Sequence, residues 1–294
     1  ELGGDTGSEF GASVSISEGK VLIGAPGYNE GKGAAFIYYM NPRNSHDWGS
    51  GKIITPKEDD VHKEEDVYTF SVSLEEGDRF GASVSFSNEV MVIGAPGKSI
   101  YNKNDYKIEN MGCVYIYDKL KDSEESKGKW AQSIILPHLN TSHSKDLTRY
   151  VLDDAPFQTA YYDYSLQVVK TKANKYNAED YANFERFGEQ DEWTGGSNMM
   201  FGSSVSVDDG KLVVGAPNVM SYKNRSFGEN DASFTSGRNY TGRVTTYSRN
   251  AETGHWVLDQ RYHDVLGQAE SIETKSRFGT SVDVDSAGNQ IAIG

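Results

Sequence analysis

Phe80-Gly81-Ala82-Ser83-Val84-Ser85-Phe86, followed by Val90-Met91-Val92-Ile93-Gly94-Ala95-Pro96, decides the fold, because the same text recurs along the chain. Phe10-Gly11-Ala12-Ser13-Val14-Ser15-Ile16 precedes Lys20-Val21-Leu22-Ile23-Gly24-Ala25-Pro26. Phe201-Gly202-Ser203-Ser204-Val205-Ser206-Val207 precedes Lys211-Leu212-Val213-Val214-Gly215-Ala216-Pro217. A fourth copy opens at Phe278-Gly279-Thr280-Ser281-Val282-Asp283-Val284 and reaches Gln290-Ile291-Ala292-Ile293-Gly294. Self-similarity of this kind marks a repeat architecture.

Each copy reads as two strands. Ser-Val-Ser-Ile alternates polar and apolar, the period of a half-buried strand. Val-Leu-Ile is a continuous apolar run, as in a strand covered on both faces. Glu18-Gly19 and Asp209-Gly210 form turns between them. The prolines end the second strand, since proline donates nothing to a ladder. A glycine then opens a β-branched and aromatic run at Gly33–Tyr39, Gly112–Tyr117 and Gly242–Tyr247, and a further strand follows near Trp48, Trp130 or Trp256. Four strands per unit is the size of a propeller blade. The Phe-to-Phe spacings of 70, 121 and 77 residues exceed the roughly 40–60 residues of a bare four-stranded blade. The excess is insertion. The longest insert, 138–200, is acidic and rich in aromatics, which predicts an ordered, packed segment rather than a solvated linker. Its Tyr161, Tyr162, Tyr164 and Trp193 are the candidate interaction residues.

The three complete Phe-Gly to Gly-Ala-Pro units, each with its glycine 14 residues after the phenylalanine, resemble the FG-GAP repeat of integrin α-type β-propellers. The Gly-x-Val-Tyr-x-Tyr and Trp strands look more like the secreted, non-integrin branch. The resemblance implies an all-β propeller of four-stranded antiparallel blades across 1–294, with about three and a half of the family's usual seven blades. It also implies an extracellular setting, secreted or at the cell surface. Because the text stops inside a repeat, the expectation is a segment of a longer protein. The phenylalanines are expected to wedge between blades.

The family's calcium loop needs several carboxylates, because calcium takes six to eight oxygens. The first three turns are too short for it. The fourth retains Asp283 and Asp285, the calcium candidates here, but places Ala287 and Ile291 at ligand positions, so a plain hairpin turn is the preferred reading. Asn140, Asn224 and Asn239 open N-glycosylation triplets in expected loops. The lone Cys113 sits in an apolar strand and reads as core.

A net charge of −14 argues against nucleic acid, whose phosphates require Lys and Arg. Nothing in the sequence is apolar for the roughly 18 residues that a membrane span requires. The six histidines lack metal spacing, and there is no nucleophile elbow or phosphate-binding loop. The expectation is a non-enzymatic adhesion or scaffold module contacting a protein or glycan partner, with copies of itself in a fibre as one form. The alternatives are a lectin and the accessory propeller of a secreted enzyme such as a glycosylphosphatidylinositol-specific phospholipase D.

Overall fold

The computed structural model describes residues 7–41, 44–49, 51–56, 62–63, 68–70, 73–87, 89–102, 107–119, 130–136, 143–144, 198–208, 210–221, 239–240, 242–251, 254–263, 277–285 and 290–294. Strand dominates, with a single helical turn at Tyr28–Gly31 among these residues.

Each repeat forms an antiparallel meander. Blade 1 runs Ser13–Ser17, Lys20–Ala25 and Ala34–Asn41, and the last of these pairs with both Asn44–Trp48 and Lys52–Ile54. Blade 2 runs Ser83–Ser87, Val90–Ala95, Cys113–Lys119 and Trp130–Ile135, with His143–Ser144 added at its outer edge. Blade 3 runs Ser204–Asp208, Lys211–Ala216, Arg243–Arg249 and Trp256–His263. The fourth unit supplies the hairpin Val282–Val284 and Ile291–Ile293. The chain is thus all-β, built of propeller-type blades. The registers repeat as the sequence does, with Ser13 opposite Gly24, Ser83 opposite Gly94 and Ser204 opposite Gly215.

The core lies between blades, as the alternation of the first strands requires. In blades 2 and 3, Val84, Phe86, Val205 and Val207 are buried on one face, while the serines between them point to the next blade. Ser13 Oγ donates to the Gly81 carbonyl at 2.9 Å, Ser83 Oγ to Gly202 at 2.7 Å, and Ser204 Oγ to Gly279 at 2.8 Å. The second serine of each pair accepts a backbone N–H from the next blade: Phe86 to Ser15, Val207 to Ser85, and Val284 to Ser206. Two serines per blade therefore satisfy backbone groups that would otherwise be buried without partners at the seam.

The Phe-Gly motif closes the same seam. Phe80, Phe201 and Phe278 form parallel bridges with Gly33, Gly112 and Gly242 at the head of the preceding blade's third strand. The Phe80 ring then packs edge-on to Tyr115 of its own blade, 5.1 Å between centroids. Phe80 and Phe201 are fully buried, as expected of wedges. Phe10 is not. It meets Phe36 at 5.3 Å in the equivalent contact but is 47% exposed, because no described blade covers its other side. The residue before each phenylalanine, Glu9, Arg79, Met200 or Arg277, adopts φ between 51° and 58°. The glycine after it also has positive φ, which suits a residue without Cβ.

The glycine of Gly-Ala-Pro is there because of close approach. A Cβ on Gly94 would lie 2.0 Å from the Gly202 carbonyl oxygen, and those on Gly24 and Gly215 would meet Gly81 and Gly279 in the same way. Gly94→Ala is therefore expected to cost at least about 1–3 kcal/mol by overpacking, and Ser83→Ala about 1–3 kcal/mol by orphaning the Gly202 carbonyl. Both changes open one seam, so the double variant should cost less than the two single losses combined. Urea unfolding midpoints of the three variants check this, and strict additivity would contradict a shared joint.

Candidate functional site: the rim that carries the insertions

In an antiparallel meander, the second strand ends, the third begins, the fourth ends and the next blade begins all at one rim. The five longest connections, 55–82, 96–112, 136–203, 217–242 and 264–281, therefore leave and return on the same side. Contacts bear this out. Gly27 N–H donates to Ser8 and Gly97 N–H to Asp78, tying each Gly-Ala-Pro loop to the segment that approaches the Phe-Gly of its own blade. The opposite rim holds the tight turn at 18–19 and the short connection between the strands that end at Asp208 and begin at Lys211.

The structure adds an element with no counterpart in the repeat text. His62–Lys63, Tyr68–Phe70, Ile100–Asn102 and Lys107–Ile108 form a separate four-stranded antiparallel sheet joining two of these insertions. A smaller ribbon, Met220–Ser221 with Asn239–Tyr240, stands on the third blade.

The base of the added sheet is held by a buried ion pair. Lys98 Nζ lies 2.8 Å from Asp78 Oδ2, and both side chains are almost wholly inaccessible. Nζ also donates to the Ser73 carbonyl at 2.6 Å, and the Glu75 N–H donates to Asp78 Oδ2. Ser73 follows the 68–70 strand and Lys98 precedes the 100–102 strand, so one ammonium group clamps both legs of the sheet. Burial raises the Asp78 carboxyl above its usual range, and the Lys98 charge opposes that rise. The ionised carboxylate on its own thus costs stability at neutral pH, and this cost shrinks as pH falls toward its raised pKa. The attraction within such a pair is offset by the desolvation of both groups, so its burial is no measure of stabilisation. At the equivalent positions blade 3 has Met199 and Val219, both buried.

At the other end of the blades, Asp118 is held between blades 2 and 3. Its carboxyl is raised by burial, opposed first by Arg249, whose Nη2 lies 3.3 Å away, and then by a hydrogen bond from the Trp256 indole. Burial likewise pushes up the Cys113 thiol, which is a free, wholly buried cysteine as its sequence context suggested. These titratable groups are all interior.

Of the calcium candidates, Asp283 accepts a hydrogen bond from Ser206 Oγ at 3.0 Å, and Asp285 accepts from the Gln290 N–H across its turn at 2.9 Å. Among the described residues, no group of three or more His, Cys, Asp or Glu side chains is placed to hold a metal. Asn239 falls in the short ribbon of an insertion, outside the blade strands. Asn140, Asn224, Tyr161, Tyr162, Tyr164 and Trp193 lie outside the described residues, as does nearly all of the 138–200 insert. The added sheet and the Lys98 clamp were missed because their strands are two or three residues long, with no periodicity to read. No helix among the described residues is long and apolar enough to cross a membrane.

Regular four-stranded blades, seams of Phe-Gly against Gly, and one decorated rim define a β-propeller-type repeat protein. Comparison with known families agrees. The model of the FG-GAP repeat matches residues 73–117, from the anchor of the Lys98 clamp through the third strand of blade 2. The chain thus carries an FG-GAP repeat at residues 73–117, and its first, third and fourth units share the joint seen in the matched one. No curated protein gives a significant match.

The clamp yields a direct test. Lys98→Met alone should cost about 3–5 kcal/mol, because it leaves Asp78 buried and unpaired. Lys98→Val with Asp78→Met, the blade 3 solution, should recover most of that loss. Thermal melts of both variants check this, and a double variant as unstable as the single would refute the pairing.

Proposed function

We propose that this chain is a non-enzymatic binding scaffold that works outside the cell and contacts a protein or glycan partner through its insertion-bearing rim. The observation that carries the reading is the segregation of the long connections to one side of a regular frame. Rigid scaffolds present binding loops in this way, and a pre-ordered frame lowers the entropy cost of association.

Two further observations support it. The buried titratable groups have structural duties: Asp78 with Lys98, Asp118 with Arg249 and Trp256, and Cys113 in the core. In the sequence, the three glycosylation triplets, at Asn140, Asn224 and Asn239, fall between strands whose connecting ends lie on this rim. Sugars there would frame a partner site and leave the seams untouched.

The test uses the chain expressed through a secretory pathway. N-glycosidase treatment should shift its mass. Replacing 145–197 by a short Gly-Ser linker should preserve strand content and melting temperature while abolishing binding to an array of cell-surface proteins and glycans that the intact chain recognises. Secreted material with all three asparagines unmodified would overturn the extracellular part. Unchanged array binding by the linker variant would overturn the rim.

A further inference from the structure

Lys98 and Asp78 meet under conditions that favour a reaction between them. Lys98 Nζ lies 2.8 Å from Asp78 Oδ2, and the two side chains are 1% and 2% exposed. Both backbones are pinned. The Asp78 N–H donates to the Glu75 carbonyl and the Gly97 N–H to the Asp78 carbonyl, each at 3.1 Å. The Lys98 N–H donates to the Ala95 carbonyl at 3.1 Å, and the Gly112 N–H to the Lys98 carbonyl at 2.8 Å. A Cβ on Gly97 would lie 1.9 Å from the Gly77 carbonyl oxygen, so the two segments touch backbone to backbone beside the pair. Amine and carboxyl are therefore held together by the fold, close to the roughly 3–3.5 Å at which reacting atoms are poised.

Two features set this pair apart from Arg79–Glu9, Lys119–Glu89 and Lys211–Asp259, which are all partly exposed. First, burial disfavours both charges, and it raises the Asp78 carboxyl even with Lys98 alongside. A proton passing along their hydrogen bond leaves a neutral amine and a neutral carboxylic acid, the reactive forms of both groups. Second, polar partners stand where a condensation needs them. The Glu75 N–H donates to Asp78 Oδ2 at 2.8 Å, so it opposes the charge that builds on that oxygen as Cγ becomes tetrahedral. The Ser73 carbonyl accepts from Nζ at 2.6 Å and orients the nitrogen.

We propose that Lys98 and Asp78 join in a side-chain isopeptide bond within the folded chain. The Nζ lone pair forms a bond to Cγ, and the Cγ–Oδ1 bond breaks with its electron pair. Two of the three ammonium protons leave with Oδ1 as water, the third stays on the amide nitrogen, and the two charges cancel. No oxidant, metal or second substrate enters. The amide keeps an N–H for the Ser73 carbonyl and an oxygen for the Glu75 N–H, and two desolvated charges are gone. The bond ties the 55–82 connection to the 96–112 connection at the foot of the added sheet, whose 68–70 and 100–102 strands come one from each. Tension on either connection is then carried by a covalent link. Blade 1 has Ser8 and Tyr28 at the equivalent positions and blade 3 has Met199 and Val219, so the bond is confined to blade 2. It needs no partner molecule, so it stands or falls apart from the scaffold reading.

The experiment is tryptic peptide mapping of the full chain by mass spectrometry, with the folded protein unfolded just before digestion. An unjoined chain gives 64–79 and 80–98 as separate peptides. A joined chain resists cutting after Lys98 and gives 64–79 linked to 80–103, one water lighter than the two together. Fragmentation should place the link between Asp78 and Lys98. Lys98→Arg, which keeps the charge without the amine, and Asp78→Ala should both lack it. Chain held in urea should gain no link, since the reaction depends on the fold. The wild-type map decides by itself, so a variant that folds poorly does not weaken the test. Folded wild type cut completely after Lys98 overturns the proposal and leaves the clamp an ion pair. A link that persists in Asp78→Ala, or that forms equally in urea, overturns it as well. In a joined chain, Lys98→Val with Asp78→Met recovers the ion-pair part of the clamp's loss and not the part due to the bond.

Discussion

The seam between neighbouring blades is the constraint on which the rest of the structure depends. Two sheets can meet this closely only if backbone touches backbone, and that requires glycine on both sides and a partner for every amide and carbonyl in the contact. The serine hydroxyl on the next blade's Phe-Gly carbonyl supplies one partner, and the Phe-to-Gly bridge supplies another. The phenylalanine fills the wedge left where twisted sheets diverge. Phe-Gly and Gly-Ala-Pro are therefore two halves of one joint, made by different repeats. That is why the motif survives in every unit while the outer strands vary.

This also explains how much could be read from sequence. The joint depends on residue type at fixed spacing, so blade number, strand order and register were legible from Phe10, Phe80, Phe201 and Phe278. Exposure was less legible. Phe10 and Phe80 have the same sequence neighbourhood, yet one is buried and the other half open, because burial depends on the neighbouring blade rather than on the residue. The left-handed residue before each phenylalanine was invisible for another reason. Glu9, Arg79, Met200 and Arg277 share only a backbone conformation, and none of them announces it.

The rim was half legible. Repeat spacing located the insertions, and meander topology alone sends them to one side. The spacing could not foretell that 62–70 and 100–108 would pair with each other, since strands of two or three residues leave no periodic trace. Lys98 was equally silent. A lysine two residues after a Gly-Ala-Pro reads as a solvated loop charge, and its burial against Asp78 becomes visible only when Ser73 and Glu75 are seen to complete its shell.

Comparison of the units shows how the joint leaves freedom elsewhere. The position filled by Asp78 and Lys98 in blade 2 is Met199 and Val219 in blade 3, so the same cavity is closed once by charge and once by hydrocarbon. A hydrocarbon solution closes the cavity more simply, because it avoids the desolvation that the ion pair must offset. The ion pair offers polar partners instead: the ammonium group divides its donors between Asp78 and the Ser73 carbonyl, and so it ties together the chain on either side of itself. It occurs on the blade from which the added sheet rises. An interior charge that costs stability while fixing the exit of two insertions makes sense where the orientation of those insertions matters, and orientation matters on a surface that meets another molecule.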